Sequence, residues 1–131
     1  MSYQANIFEE TENNTNFRKV LFTGAKSQLV AMDIPVGGEI GEEVHDKVEQ
    51  TLFFLSGNGK AILDGVEKPV ITGDVVVVTP GTKHNFLNTG NEPLKVYTVY
   101  APANHIDGRV HKTKADADLD TEDENFGHQV S

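Results

Sequence analysis

The hydrophobic positions of this chain follow a two-residue period over most of its length. From Gln28 onward, short runs of β-branched and aromatic residues alternate with polar ones, and turn residues interrupt them at regular intervals. Such alternation is typical of strands that bury one face. Helix-period patterning is nearly absent before residue 100. The pattern therefore predicts an all-β domain of about eight strands, the number expected of a jelly roll.

Turn residues separate the predicted strands. Glycine, proline and asparagine favour the tight turns that join antiparallel strands. They occur at 36–38, 57–59, 64–65, 73–74, 80–81 and 88–91. After residue 100 the alternation of hydrophobic and polar residues ends. Alanines and charged residues predict one or two helical turns over 113–120.

Three parts follow from this organisation. Residues 1–27 are an N-terminal extension that packs on the barrel, and its first sixteen residues are polar enough to be peripheral, with a loop at 13–16. Residues 28–100 form the barrel. Residues 101–131 form a C-terminal tail with an acidic end, which is most simply a solvated, flexible segment.

The charge balance narrows the class of partner. The net charge is -9, but six acids lie after residue 115, and the remaining acids only slightly outnumber the eleven bases. This excludes a basic nucleic-acid surface. No apolar run is long enough for a secretory segment or a membrane span, so we expect a cytoplasmic protein. With no cysteine, any metal must be held by nitrogen and oxygen.

Four polar side chains form a candidate metal site. Glu43 and His45 stand two residues apart, which turns them to one side of a strand. A hairpin would place Gln50 opposite His45, and His84 follows a turn that could bring it back to the same point. A Glu-x-His pair alone is more often a solvated polar face, so the spacing of the whole set carries the argument.

These residues resemble the two cupin motifs in order and spacing. Gly37, Glu43, His45, Gln50 and Gly57 keep the intervals of the first motif. The second motif is matched by Gly73, Gly81, His84 and Asn88, with Thr79 in place of a proline. The resemblance implies a cupin double-stranded β-helix, a jelly-roll barrel with a short C-terminal helical tail, of the small mannose-6-phosphate isomerase-like kind.

The resemblance also implies one divalent metal ion, Zn, Mn, Fe, Ni or Co, on Glu43, His45, Gln50 and His84. Glu43 stands where the family usually has histidine and Gln50 where it usually has glutamate, so the carboxylate moves while the charge is kept. A relative without metal remains an alternative. Glu49 is a second candidate for the Gln50 position, but a shift of one residue turns its side chain to the other face.

The strand that carries Gln50 is apolar on both faces. Something must cover its outer face, and we expect a second subunit in a homodimer, or else an N-terminal segment with Ile7, Phe8 and Phe17. On the last strand Lys95 marks the solvent face. The inward residues predicted to wall the ligand pocket are Phe54, Phe86 and Tyr100, although all three also suit an ordinary core.

We therefore expect a metal-binding cupin that takes a small polar or oxygenated ligand at an open metal position. If it is an enzyme, isomerase or oxygenase chemistry would follow from the metal acting as a Lewis acid. The alternatives are a non-catalytic ligand-binding or sensing module and a barrel without metal. His105 and His111 in the tail are weak candidates for a second site, and docking of the tail on the barrel explains them better.

Overall fold

Two antiparallel β-sheets pack face to face in a computed structural model of the chain, which describes residues 1–130. The strands are β1 (Arg18–Thr23), β2 (Gln28–Ile34), β3 (Glu49–Ser56), β4 (Gly59–Leu63), β5 (Val66–Val70), β6 (Val75–Val78), β7 (His84–Asn88), β8 (Leu94–Ala101) and β9 (Val110–His111). The helices are α1 (Ile7–Asn13), α2 (Lys114–Leu119) and α3 (Thr121–Val130).

The larger sheet has the strand order β6-β3-β8-β2-β1-β9, and the smaller one has the order β5-β4-β7. Most strands of the larger sheet pair with partners distant in sequence, as in a jelly roll. The segment between β2 and β3 is irregular and meets β7 through isolated bridges, Glu39 with Leu87 and Glu43 with His84. The prediction of an all-β double-stranded β-helix with helices in the tail is confirmed.

The core lies between the inward faces of the two sheets, and it follows the two-residue period of the sequence. Strand β3 alternates between buried and half-buried residues from Gln50 to Leu55, and β7 and β8 alternate in the same way. Gly57 ends β3 with a φ of +93°, and a Cβ there would lie 2.7 Å from the Pro93 carbonyl oxygen. Only glycine fits this turn.

Helix α1 covers part of the outer face of the larger sheet, as the alternative of an N-terminal cover with Ile7 and Phe8 predicted, although the sequence pattern did not predict a helix here. The Phe53 and Tyr97 rings stack at 4.8 Å, and the Phe8 ring lies 6.5 Å from Tyr97. Lys95 lies on the outer face of β8, as its parity predicted, but the expectation that this face is open to solvent is wrong. Its side chain is only 14% exposed, and its ammonium contacts Asp33 at 3.0 Å and the Asn14 carbonyl oxygen at 2.6 Å. The N-terminal segment shields this face.

The tail folds back onto the barrel in two helices. A capping box between Thr113 and Asp116 begins α2, as the composition of this segment predicted. The expectation of a flexible acidic end is wrong, because 121–130 form α3 and Asp123 is only 4% exposed. Asp123 holds the helix down by accepting a hydrogen bond from the Ile106 amide. No helix within residues 1–130 is long and apolar enough to span a membrane.

Candidate metal centre

Three side chains converge where the irregular segment meets β7. Glu43 and His84 exchange backbone hydrogen bonds of 2.9 Å in each direction, which fixes their side chains beside each other. The Nε2 atom of His45 lies 2.9 Å from Oε2 of Glu43. One ligand atom from each of the three residues lies within 4.8 Å of the others. We call Glu43, His45 and His84 the barrel cluster.

The hairpin expected between His45 and Gln50 is wrong. Glu43 pairs with His84 on β7, whereas Gln50 pairs with Val78 on β6 and Tyr100 on β8. Residues 46–48 carry the chain from the irregular segment to the larger sheet. The barrel cluster is therefore assembled by the bridge between the irregular segment and β7, whereas Gln50 belongs to the other sheet.

Gln50 and Glu49 differ in burial as their parity on the strand predicted. Gln50 is 3% exposed on the inner face of β3, and Glu49 is exposed to solvent. The choice of Gln50 as the fourth ligand stays a prediction, because burial shows that the side chain points inward and not that it binds a metal ion.

The protonation states of the barrel cluster suit a cation. Nδ1 of His84 lies 2.9 Å from the Thr82 carbonyl oxygen, which can only accept, so Nδ1 carries the proton and Nε2 keeps its lone pair. Burial lowers the pKa of His84 and so favours the neutral ring. Burial raises the pKa of Glu43, but the hydrogen bond with His45 and the charge of Arg18 outweigh it, and the pKa falls to about 2.

An ionised carboxylate with neutral imidazoles is the donor set that divalent Zn, Mn, Fe, Co and Ni accept. The chemistry of the residues present thus fits a metal ion. Each protein donor would have to be in this form before a metal could bind, since thiolate, imidazole and carboxylate ligands bind without their protons.

An open cavity of about 640 Å³ adjoins the cluster and touches Glu43 and His45. Sequence reasoning missed Arg18, His105 and Asp123 as residues of its wall. Arg18 lay in the segment interpreted as an N-terminal extension outside the barrel. The available signal was parity, because Arg18 stands two residues before Val20 and so shares the inward face of β1.

Two of these residues form a buried hydrogen-bonded chain with Tyr100. Nδ1 of His105 lies 2.8 Å from Oδ2 of Asp123, and its Nε2 lies 3.3 Å from the Tyr100 hydroxyl. Burial raises the pKa of Tyr100 well above its usual range, so the hydroxyl keeps its proton and donates to His105. Burial acts to raise the pKa of Asp123, but the hydrogen bond with His105 outweighs this effect and the pKa is lowered.

A second acid and histidine group lies in the tail: His111, Asp120 and Asp123, which we call the tail cluster. Its donor atoms are already committed to protein partners. His111 Nε2 lies 2.8 Å from Asp120 Oδ2, and the Arg109 guanidinium lies 3.5 Å from the same oxygen. A cation of the protein thus already lies against a carboxylate of this group, and His105 and His111 hold the helices of the tail through Asp123 and Asp120.

The predicted pocket residues lie in the core. The rings of Phe54 and Phe86 pack 5.8 Å apart, and Tyr100 contacts His105 edge to face. All three are at most 2% exposed. None of them is among the residues that line the cavity of 640 Å³. Their part in ligand binding stays a prediction.

Comparison with known proteins agrees with this architecture. A family model described as a cupin domain matches residues 30–100. The uncharacterised protein YrkC of Bacillus subtilis is 40% identical over 88% of this chain, and the chain spans 65% of that relative's length. An oxalate-binding protein of Thermotoga maritima is 32% identical over 56% of this chain and 62% of its own length.

Among solved structures, BH2720 from Bacillus halodurans superposes with a TM-score of 0.88 at 38% identity, covering 89% of this chain and 93% of that one. The match includes the N-terminal and C-terminal parts that flank the family model. With the motif intervals, the double-stranded β-helix and the family model in agreement, the chain belongs to the cupin family.

Proposed function

We propose that this cupin holds one divalent metal ion on Glu43, His45, His84 and Gln50 and binds a small oxygenated ligand beside it. One observation carries the proposal: an ionised carboxylate and two imidazoles converge within 4.8 Å, and two of these residues, Glu43 and His45, line an open cavity. The name of the Thermotoga maritima relative, an oxalate-binding protein, supports a small oxygen-rich ligand.

The residues of this chain would divide the work. Glu43, His45 and His84 would hold the ion, and the Thr82 carbonyl would keep His84 in the tautomer whose Nε2 faces away from it. A divalent ion at this position supplies Lewis-acid polarisation of a ligand oxygen. The catalytic form of the proposal is isomerase-like or oxygenase chemistry on that ligand.

The alternative is a metal-dependent module that binds or senses the ligand without turnover. His105 favours this alternative, because its Nε2 already accepts a hydrogen bond from Tyr100 and so offers no free base to the cavity. Product formation from a panel of sugars, keto acids and diols, with the Glu43→Gln protein as the blank, would support the catalytic form. Ligand binding without product would support the module.

Metal content tests the site itself. We expect about one divalent ion per chain in the wild type and an affinity lower by roughly a hundredfold in Glu43→Gln, because the variant loses the one carboxylate of the site. Glu42→Gln is the matched control, since this neighbouring side chain is exposed and 3.7 Å from Lys83. Elemental analysis and calorimetric metal titration give both numbers.

A wild type without metal, or a Glu43→Gln protein that binds as well as Glu42→Gln, would overturn the site. Circular dichroism of both variants shows whether the fold is intact.

A homodimer belongs to the same proposal. Val75 and Val77 on edge strand β6 are each about half exposed, and they share the outer face with Phe53 and Thr51, their strand partners. An exposed apolar edge of this kind favours association. Light scattering on the wild type and on Val77→Glu tests it: we expect a dimer that the charge converts to monomer, and a monomeric wild type would refute the assembly.

A further inference from the structure

The buried guanidinium of Arg18 is the feature that the metal site does not explain. Arg18 begins β1, where it pairs with Met32 on one side and His111 on the other. Its side chain points inward with Val20, and the residue is only 5% exposed. It lines the same cavity as Glu43 and His45. A permanent positive charge therefore lies at the wall of the proposed ligand site.

This charge has no carboxylate in direct contact. Within residues 1–130, Arg18 forms no ion pair with a carboxylate. The guanidinium hydrogen-bonds the Tyr100 hydroxyl, and its Nη1 lies 3.5 Å from His111 Nδ1, but its buried Nε has no hydrogen-bond partner within the described part of the chain. Buried charges are costly unless they are paired.

The other arginine of the chain shows what a structural ion pair looks like here. Arg109 contacts Asp120 at 3.5 Å and also pairs with Glu122, and its side chain is 29% exposed. Arg18 is more deeply buried and makes fewer charged contacts. A guanidinium offers five donors in a planar fork that matches a carboxylate. The vacant Nε is one edge of that fork.

The charges around the cavity indicate how many negative charges it accepts. Arg18 and Asp123 are the buried charges of the cavity wall, whereas Lys114 also lines the cavity but pairs with Asp118. With a divalent ion on Glu43, the ion, Glu43, Arg18 and Asp123 together carry a net charge of +1, which one negative charge balances. The mouth of the cavity is acidic, with Glu39, Glu42, Asp118 and Glu124, and so disfavours a multiply charged anion.

We propose that Arg18 binds the carboxylate of a small 2-hydroxy or 2-keto monocarboxylic acid whose second oxygen faces the metal, an assignment that rests on the metal site proposed above. The carboxylate completes the hydrogen bonding of the guanidinium. The uncharged oxygen function is left for the metal side of the cavity. Arg18 is a ligand-binding residue in this assignment and carries no proton.

The experiment measures binding of lactate, pyruvate and lactamide to the full-length, metal-loaded protein by calorimetry. Lactamide has the shape of lactate without its charge. We expect lactate or pyruvate to bind at least about tenfold more tightly than lactamide in the wild type. Arg18→Gln should lose about tenfold in affinity for the acids and lose this preference, as expected for one charge-assisted, bidentate contact.

Arg109→Gln is the matched control, because it removes the same charge from an arginine outside the cavity, and it should bind both acids like the wild type. Arg18→Lys keeps the charge without the fork and should bind with intermediate affinity; it also carries the test if Arg18→Gln does not fold. Equal affinity in the wild type and the Arg18 variants, no acid binding at all, or tighter binding of inorganic phosphate would overturn the assignment.

Metal content of each protein separates this inference from the metal site. Arg18→Gln should keep its metal and lose the acids, whereas Glu43→Gln should lose its metal. Acid binding that depends on Arg18 in a protein without metal would refute the proposed function and retain the anion site. A metal-loaded protein with no preference for the charged probe would refute the anion site alone.

Discussion

The barrel and the tail each bring together a histidine and acid cluster of similar composition, yet the two differ in what already occupies their donor atoms. In the barrel cluster, Glu43 and His45 contact each other beside an open cavity, and His84 keeps a free lone pair on Nε2 by donating through Nδ1. In the tail cluster, Asp120 accepts from His111 and lies beside the Arg109 cation.

The difference shows that composition and proximity do not define a metal site by themselves. A cation of the protein in contact with the carboxylates satisfies the charge that a metal would otherwise balance. The tail cluster is thus a docking device that fixes the helices to the barrel. In the barrel cluster, Glu43 forms no ion pair with an arginine or lysine within residues 1–130, which leaves room for an ion.

The largest contrast is expected from removing one histidine of each cluster. His84→Ala should weaken divalent metal binding by on the order of a hundredfold or more, because it removes a direct ligand. His111→Ala should leave metal binding unchanged. It should lower the free energy of unfolding by about 1–3 kcal/mol, because the largely buried Asp120 carboxylate loses its hydrogen bond from His111. Metal titration and urea unfolding measure the two effects.

If both variants lost metal to the same degree, the two clusters would not differ in the way described. If His111→Ala were as stable as the wild type, the tail cluster would not dock the tail.

A loss of stability without a loss of metal binding is also expected from Asp123→Asn. Asp123 holds α3 against the first part of the tail through His105 at 2.8 Å and the Ile106 amide at 2.7 Å, and it is buried. Replacing the carboxylate should lower the free energy of unfolding by about 2 kcal/mol, since hydrogen bonds to a buried charged group are lost. Metal affinity should stay within about twofold of the wild type, because Asp123 lies outside the barrel cluster.

Asp118→Asn is its control. Its carboxylate pairs with Lys114 four residues earlier on the exposed side of α2, a kind of pair worth at most about 0.5 kcal/mol. An equal loss in both variants would show that Asp123 has no special part in docking the tail.

The barrel could be predicted from the sequence because strand parity and glycine turns are local signals. Gln50 and Glu49 illustrate this, since alternation alone places one inside and the other in solvent. The predicted hairpin was wrong because β3 pairs with β6 and β8. The order of strands in a β-helix depends on pairings between distant segments, which the residues next to a strand do not indicate.

The wall of the cavity could be predicted only in part, because parity indicates which way Arg18 points but not which residues it meets. Arg18 and Asp123 are more than a hundred residues apart in the chain, and they meet only after the tail has folded back. Lys95 was misread as solvent-facing because no pattern in the sequence indicated that the N-terminal segment would supply Asn14 to cover it. Long-range packing decided both positions.

Gln50 offers a sharper test of how far the barrel cluster extends. Gln50→Leu keeps the volume of the side chain and removes its oxygen, and we expect metal affinity to fall by about tenfold, less than for a charged or imidazole ligand. Glu49→Gln changes an exposed carboxylate next to it and should have no effect on metal affinity. Calorimetric titration of both variants with one metal decides the point. An unchanged affinity in Gln50→Leu would restrict the site to three protein ligands.

The smallest effect is expected in the pH dependence of stability, and it belongs to the tail side of the cavity. Burial and the charge of Arg18 lower the pKa of His105 below 6.5, although Asp123 acts to raise it. The unfolded chain then binds a proton at His105 more readily than the folded chain does. The stability that His105 contributes is therefore complete above pH 6.5 and declines as the pH falls toward the lower pKa of the folded state.

His105→Asn tests this, because its amide can still donate to Asp123 and has no titration in this range. Urea unfolding at about pH 8 and about pH 5, with metal removed by a chelator, gives the change in stability for each protein. Since His84 titrates in both proteins, the difference between them isolates His105. The variant should lose less stability than the wild type on acidification; an equal or greater loss would mean that His105 accepts a proton in the folded protein as readily as in the unfolded one, and that the buried chain from Tyr100 to Asp123 does not hold it neutral.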